Sequence, residues 1–319
     1  MAAGVQKDQR DTRFEHIVPR FYLRRFCDER GVLYVYGKSN AIRESIPERE
    51  CAEYEFYEFD VRGARSENAI ENFLRRIEED AGQVIYLVSD RQNLSVKQSV
   101  VWASFVASLF ARTRKVRAQI SAATVRKMRE LICSDDYVRE LQHGLLQRGE
   151  IHDADTLRRY IESVQEGFEK SPSYFHATGI PKHTAVLAEA LLRKSWFTID
   201  APVGHQFVTS DSPVITIQRN RHGWSEGAGF ARENVVVMLP ISAAKLFVAS
   251  SKFLFKTETD ELMVSAVNRS VVRFAHRNVY ADSKSEILRN LVDRQINEVV
   301  FGTNAFLPST SNSDETSTV

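Results

Sequence analysis

The chain has 319 residues, of which 43% are hydrophobic and 27% charged, and its formal net charge is +1. This is the make-up of a folded protein; it excludes a disordered polyelectrolyte and leaves any attraction for nucleic acid to local patches. Cys27, Cys51 and Cys133 are odd in number and far apart, which argues against a disulfide framework or a cysteine-based zinc site and suits a reducing cytoplasm.

The first residues, MAAGVQKDQRDTR, contain no apolar run and so make no secretory signal; residues 1–13 are expected to form a flexible leader. HIVPRFYLRRF follows, from His16 to Phe26. Pro19 suits the first turn of a helix, with Phe21, Leu23 and Phe26 available for packing. VLYVYG alternates and ends at Gly37, a strand signal, and CAEYEFYEFD is its expected partner. From about Ser66 to Lys194 the period becomes helical. Ile70, Phe73, Leu74, Ile77, Ala81, Val84 and Ile85 share one face, with Ser66 as the expected N-cap. A second helix should begin near Ser95 and run through Trp102 into ARTRKVRAQI; others should follow Asp153 and Pro181. The nearly uncharged stretch from Ser99 to Ala111 is too short to span a bilayer and reads as a buried helix.

From Trp196 the pattern changes again. WFTID, QFVTS, PVITIQ, NVVVML and KLFVAS are short β-branched or aromatic runs broken by Gly, Pro and Ser, and predict an antiparallel sheet. A helix from about Asp260 to Phe274, a strand at NVYAD and a helix after Ser283 complete the order, and residues 303–319 are Ser/Thr-rich and expected to be disordered. The class is α+β. A central helical region (about 66–194) combines with a mainly antiparallel sheet formed by N-terminal and C-terminal strands (sheet region about 196–302), in one domain spanning 14–302.

Chemistry could sit at several places. His16 stands just before a helix start, where the dipole disfavours a protonated imidazole and attracts anions; the simpler account is a histidine satisfied by its local backbone. Glu67, Glu71 and Glu78 line one edge of the apolar stripe, half desolvated, where carboxylates can hold a cation or share a proton. Against this, Glu71 and Arg75 have the spacing of an ordinary surface pair. In FVTSDSPVI, Asp211 sits at a strand end before Ser212-Pro213, which is turn chemistry unless the acid projects into a cleft. Arg112 ends the buried helix, a place from which arginine pairs with a carboxylate or binds an anion. Arg114, Lys115, Arg117, Arg126, Lys127 and Arg129 follow it, spread over more than one helical face. GAGFAR from Gly227 lacks the third glycine of a dinucleotide loop and reads as a hairpin loop. Ser210 has no nucleophile elbow, and Arg139 and His143 are too closely spaced to match the Arg/His pair of some helical ribonucleases.

Taken together, HIVPRFYLRRF, VLYVYG, IENFLRRIE, FVASLFARTR, FVTSDSPV and MLPIS followed by VNRSVVRFAHRNVYA resemble one bacterial family, catalogued as domain of unknown function 4238. The resemblance covers nearly the whole chain apart from its ends, and its strongest markers are the His-x-x-Pro segment and the Thr-Ser-Asp-x-Pro turn. It implies one cytoplasmic domain with His16, Arg112 and Asp211 on motif positions, and it supplies no substrate.

The reading is a cytoplasmic, nuclease-like enzyme, a metal-dependent phosphodiester hydrolase with a polar site of His16, Glu71, Glu78, Arg112 and Asp211. In this reading His16, Glu71 and Asp211 hold Mg²⁺ or Mn²⁺ or act as acid and base, and Arg112 fixes a phosphate. The alternative is a non-catalytic module that binds nucleic acid through Arg112, Arg114, Lys115, Arg117, Arg126, Lys127 and Arg129, or binds a protein partner, with no membrane association.

Overall fold

A computed structural model describes residues 14–299 except 40, 55, 58–59, 62–63, 66–68, 133, 150–152, 171, 221–222, 231 and 252–259. The expected leader and tail, and the Ser66 cap, lie outside the described residues. The α+β class holds, with helices between N-terminal and C-terminal strands.

β1 (Phe14–His16) leads to Pro19, whose ring fixes φ at −64° and which caps α1 (Arg20–Leu23). The aromatics of this stretch are anchors: Tyr22 and Phe26 are fully buried. The Tyr22 hydroxyl shares a 2.7 Å hydrogen bond with Thr209 and donates to the Pro240 carbonyl at 2.6 Å, tying the N-terminal segment to the C-terminal strands.

β2 (Leu33–Gly37) is flanked by β3 (Arg43–Ser45). The segment expected to pair with β2 goes elsewhere: β4 (Ala52–Tyr54) pairs antiparallel with β1, placing Ala52 opposite His16. The cause lies just upstream, where a 3-10 turn at Pro47–Arg49 and Cys51 at φ 53° redirect the chain. A short pair, β5 (Asp60–Val61) and β6 (Ala64–Arg65), follows.

The helical region comprises α2 (Ala69–Ser89), α3 (Val96–Ala111), α4 (Arg114–Ile132), α5 (Asp135–Gln147), α6 (Ala154–Lys170) and α7 (Pro172–Leu192). Ser95 caps α3 in a full capping box with Gln98. From Phe105 to Ala111 every residue of α3 is buried, so this helix runs through the core and packs against α2 and α7. It does not continue into ARTRKVRAQI. The helix stops at Arg112, and the Thr113 hydroxyl accepts the Val116 N–H, starting α4 on a new axis. Nor does a helix begin at Pro181, which lies inside α7; that helix starts at Pro172, where a missing N–H costs nothing.

An antiparallel sheet is present, with β7 (Ser195–Asp200), β9 (Ile215–Asn220), β10 (Gly223–Glu226), β11 (Val235–Ser242) and β12 (Lys245–Ser250) in the order β10-β9-β11-β12-β7. Of the five predicted runs, QFVTS does not join it but ends in a strand of another sheet, and β10 was not predicted. GAGFAR is not a hairpin loop: β10 and β11 flank β9 on opposite sides, so this link crosses over it. A second antiparallel sheet joins the two ends of the fold, in the order β3-β2-β13-β8, where β8 is Thr209–Ser210 and β13 is Asn278–Ala281. α8 (Glu261–Phe274), capped by Asp260, packs beneath β8 and β9, and α9 (Glu286–Gln295), capped by Ser285, lies against β2. The main core gathers side chains from Val18 to Val299, with Trp102 of α3 set edge-on to Phe247 of β12 at 5.4 Å.

Candidate functional site

A small apolar cluster separate from the main core sets the floor of the site. It contains Ile17, Phe56, Tyr57, Ile70, Leu74, Ala177 and Ile180. Each functional side chain is a near neighbour of one of these residues in sequence or space. His16 precedes Ile17 at the end of β1. Glu71 and Glu78 are seven residues apart on α2, two turns along one face, with the buried Leu74 between them. Arg112 enters from the end of α3, and its side chain is completely buried.

Arg112 Nη1 donates to Glu78 Oε1. Within the described residues its Nε and Nη2 have no hydrogen-bond partner, and neither do the buried Tyr57 hydroxyl and His16 Nε2. Such atoms are rare in native proteins because an unmet buried donor costs about 1–3 kcal/mol. These atoms belong to groups that feel one another's fields. His16 is influenced by Glu78 and Arg112, Glu71 by Glu78 and Arg112, and Tyr57 by Arg112, Glu71 and Glu78.

The environment sets the protonation states. Burial, followed by the positive charge of Arg20, pushes the His16 imidazole below its ordinary value of 6.5, so it is neutral at pH 7. A hydrogen bond with the Glu48 backbone pulls the other way and occupies the ring's other nitrogen, leaving Nε2 as the one with a lone pair to offer. Burial, and then repulsion from Glu78, raise the Glu71 carboxyl above its ordinary 4.5. The Tyr57 phenol is pushed up by burial and stays a donor. The result is a neutral base, a carboxyl that gives up its proton later than usual, and an arginine with two donors unpaired among the described residues. On the α2 side Glu71 is partly exposed and the Glu78 side chain keeps 23% of its exposure, whereas His16 Nε2, the Tyr57 hydroxyl and Arg112 Nε and Nη2 are enclosed.

Tyr57 carries no signal in the sequence, because the alternation of EYEFYEF makes it look like one more strand residue. It is fixed by Glu15, a buried carboxylate that accepts the Tyr57 backbone N–H at 2.5 Å. The pairing of β1 with β4 brings Glu15 there.

Asp211 lies in a different network. Its carboxylate accepts the backbone N–H groups of His276 at 2.7 Å, Arg277 at 2.8 Å and Asn278 at 3.2 Å, with Arg114 Nη1 3.9 Å away. Arg114 also binds Glu53. Asp211 is thus the bracket between β8 and the start of β13. Glu78 is committed to Arg112, and Arg75 pairs with Glu79 at 3.6 Å, leaving Glu71 outside the expected surface pair. Among the described residues, no three His, Cys, Asp or Glu side chains are grouped so that they could hold a metal ion. The donor set of His16, Glu71 and Asp211 therefore does not fit a Mg²⁺ or Mn²⁺ centre.

The basic run is largely interior, and the solvated helix expected for it holds only for part of α4. Lys115 is buried and donates to the Arg273 and Phe274 carbonyls at 3.2 and 3.1 Å, and burial lowers its ammonium to about 8. Arg117 stacks over Phe56 at 4.5 Å and donates to its carbonyl. The reason is that Thr113 starts α4 against the core, so its first turns face inward. Arg126 and Lys127 are exposed, Lys127 beside Glu130, and the Arg129 side chain lies outside the described residues. A separate cleft of about 620 Å³ at β7 is lined by Trp196, Phe197 and Phe247. Its cations are already spent inside the fold: Arg91 on Thr198 and Asp200, and Lys194 on the Arg232 and Val235 carbonyls.

Fold and site together define an α+β protein that carries a buried polar cluster, partly exposed at Glu71 and Glu78, at the junction of an N-terminal strand and two helices. The chain belongs to the family described as Protein of unknown function (DUF4238), which matches residues 15–285. No curated protein and no solved structure matches it. No helix among the described residues is long and apolar enough to cross a membrane.

Proposed function

We propose that this protein is a phosphodiester-cleaving, nuclease-like enzyme whose site is His16, Tyr57, Glu71, Glu78 and Arg112. The observation that carries the reading is the pair of unpaired donors on a fully buried arginine, beside an unpaired phenol and an unpaired imidazole nitrogen. Two guanidinium N–H groups held in a fixed plane match two oxygens of a phosphoryl group, and a desolvated arginine binds such an anion strongly. Glu78 orients the guanidinium by holding its third corner. Tyr57 adds a neutral donor for charge that develops on phosphorus oxygens. His16 and Glu71 supply a base and an acid on the same pocket. Nucleic acid would meet the chain on the α2 side, not along the basic run of α4.

The test is cleavage of end-labelled single-stranded DNA and RNA by the purified chain, alongside Arg112→Lys. Lysine keeps a charge for Glu78 but loses the fork, so activity is expected to fall by about 10²–10³ with the fold retained. A wild type that leaves both substrates intact across pH 5–8, with and without divalent cations, refutes the reading.

A further inference from the structure

Resting on that reading, we infer that the site cuts RNA by metal-free attack of the substrate's own 2′-hydroxyl, with His16 as the base and Glu71 as the acid. The argument starts from the donor set. Asp211 is committed to backbone N–H groups, Glu78 is bound to Arg112, and no three candidate ligands are grouped for a cation among the described residues. DNA has no internal nucleophile, so cleaving it would require a water or a side chain to attack phosphorus. RNA carries its nucleophile next to the phosphorus, and a well-placed internal nucleophile is worth an effective concentration of about 10⁵–10⁸ M. An acid, a base and a phosphate clamp are then sufficient, and these are the groups the cluster contains.

The step balances within the substrate and two side chains. The 2′-oxygen bonds to phosphorus as its proton passes to His16 Nε2. The bond from phosphorus to the 5′-oxygen breaks, and the departing oxygen takes the Glu71 proton. Arg112 Nε and Nη2, with the Tyr57 hydroxyl, face the non-bridging oxygens, where negative charge grows. The products are a 2′,3′-cyclic phosphate and a 5′-hydroxyl.

Protonation adds a pH signature. His16 sees Arg20 on α1, Glu78 on α2 and Arg112 at the end of α3; Glu71 sees Glu78, Arg75, Arg112 and Arg20. A neutral His16 requires a pH above its lowered value, and a protonated Glu71 a pH below its raised one. Activity should therefore fall at both extremes of pH, at low pH because His16 is protonated and at high pH because Glu71 is ionised.

The experiment uses the full chain in excess EDTA on three oligonucleotides of one sequence: RNA, fully 2′-O-methylated RNA and DNA. The expected result is cleavage of RNA alone, with cyclic-phosphate ends. Glu71→Gln should lose at least a hundredfold and its alkaline limb, and His16→Asn should lose as much, with melting points near wild type. Cleavage of DNA or methylated RNA, or loss of activity in EDTA with recovery in Mg²⁺, overturns this inference and leaves the nuclease reading standing. Cleavage of no oligonucleotide under any condition removes both. The product ends are read on the unmodified protein, so a variant that fails to fold does not blunt the test.

Discussion

Three backbone N–H groups converge on Asp211, and it is fully enclosed by the turn before β13. Replacing it with alanine removes the acceptor of three part-buried N–H groups and leaves Arg114 with Glu53 alone, which should cost about 1–3 kcal/mol. Asparagine is no rescue, because its single oxygen cannot serve the donors on both sides and its NH₂ would face an N–H. Both variants are expected to melt well below wild type, while the fraction that stays folded cleaves substrate normally. Asp211→Asn with an unchanged melting point and lost activity would move this residue into the chemistry. The same scale shows what could be read from sequence. His16, Glu71, Glu78 and Arg112 were findable because each sits where an apolar pattern meets a polar residue: a helix start, a stripe edge, the end of a buried helix. That Glu78 takes Arg112, while Glu71 makes no ion pair among the described residues, was not, since it depends on how α2 and α3 dock. Tyr57 was hidden because strand-like alternation has no mark for a phenol without a partner.

At the level of elements, α3 and α7 meet through a buried histidine. His176 Nε2 donates to the carbonyl of Ala111, the last residue of α3, at 2.8 Å, and burial pushes its imidazole down to about 3. The unfolded chain takes up a proton near the ordinary 6.5, whereas the folded chain does not until about 3. Between those values the unfolded state binds more protons, so stability falls as the pH falls, by up to about 1.4 kcal/mol per unit for such a group. His16, His183 and His276 are lowered in the same direction. Urea midpoints should therefore drop from pH 7 to pH 5, and His176→Gln should make that slope shallower; an unaltered slope would show that His176 does not drive it. Elements with local signals were legible, such as the Ser95 cap, the Asp260 cap and the five strand runs after Trp196. The break at Thr113 was not, because neither Gly nor Pro marks it and only docking against α7 makes a new axis favourable. Pro181 misled for the converse reason, since tertiary packing holds a helix through a residue that would end it in isolation.

Across the whole molecule, stability is unevenly distributed. Among the described residues, α5 and α6 rest on a cluster in which Leu145 and Leu157 are buried, flanked by Val138, Leu141 and Ile161, apart from the main core. Amide exchange should show these helices opening well before α3, whose amides should exchange only on global unfolding; equal protection would refute this division. The sheet β3-β2-β13-β8 has the opposite character, because it binds residues 33–37 to residues 278–281. Its grip reaches the polar cluster: Tyr280 meets Cys51 at 3.0 Å, and the Cys51 carbonyl accepts the N–H of Ile17, next to His16. In the order of synthesis, His16, Tyr57, Glu71, Glu78 and Arg112 are all in place on the nascent chain long before Asn278–Ala281 leave the ribosome. The reactive groups thus exist without the support of the β2–β13 pairing until Asn278–Ala281 have emerged. If the chain cuts RNA as proposed, a nascent chain that still lacks β13 should be less active than the full chain, which cleavage by a chain truncated before Asn278 would test.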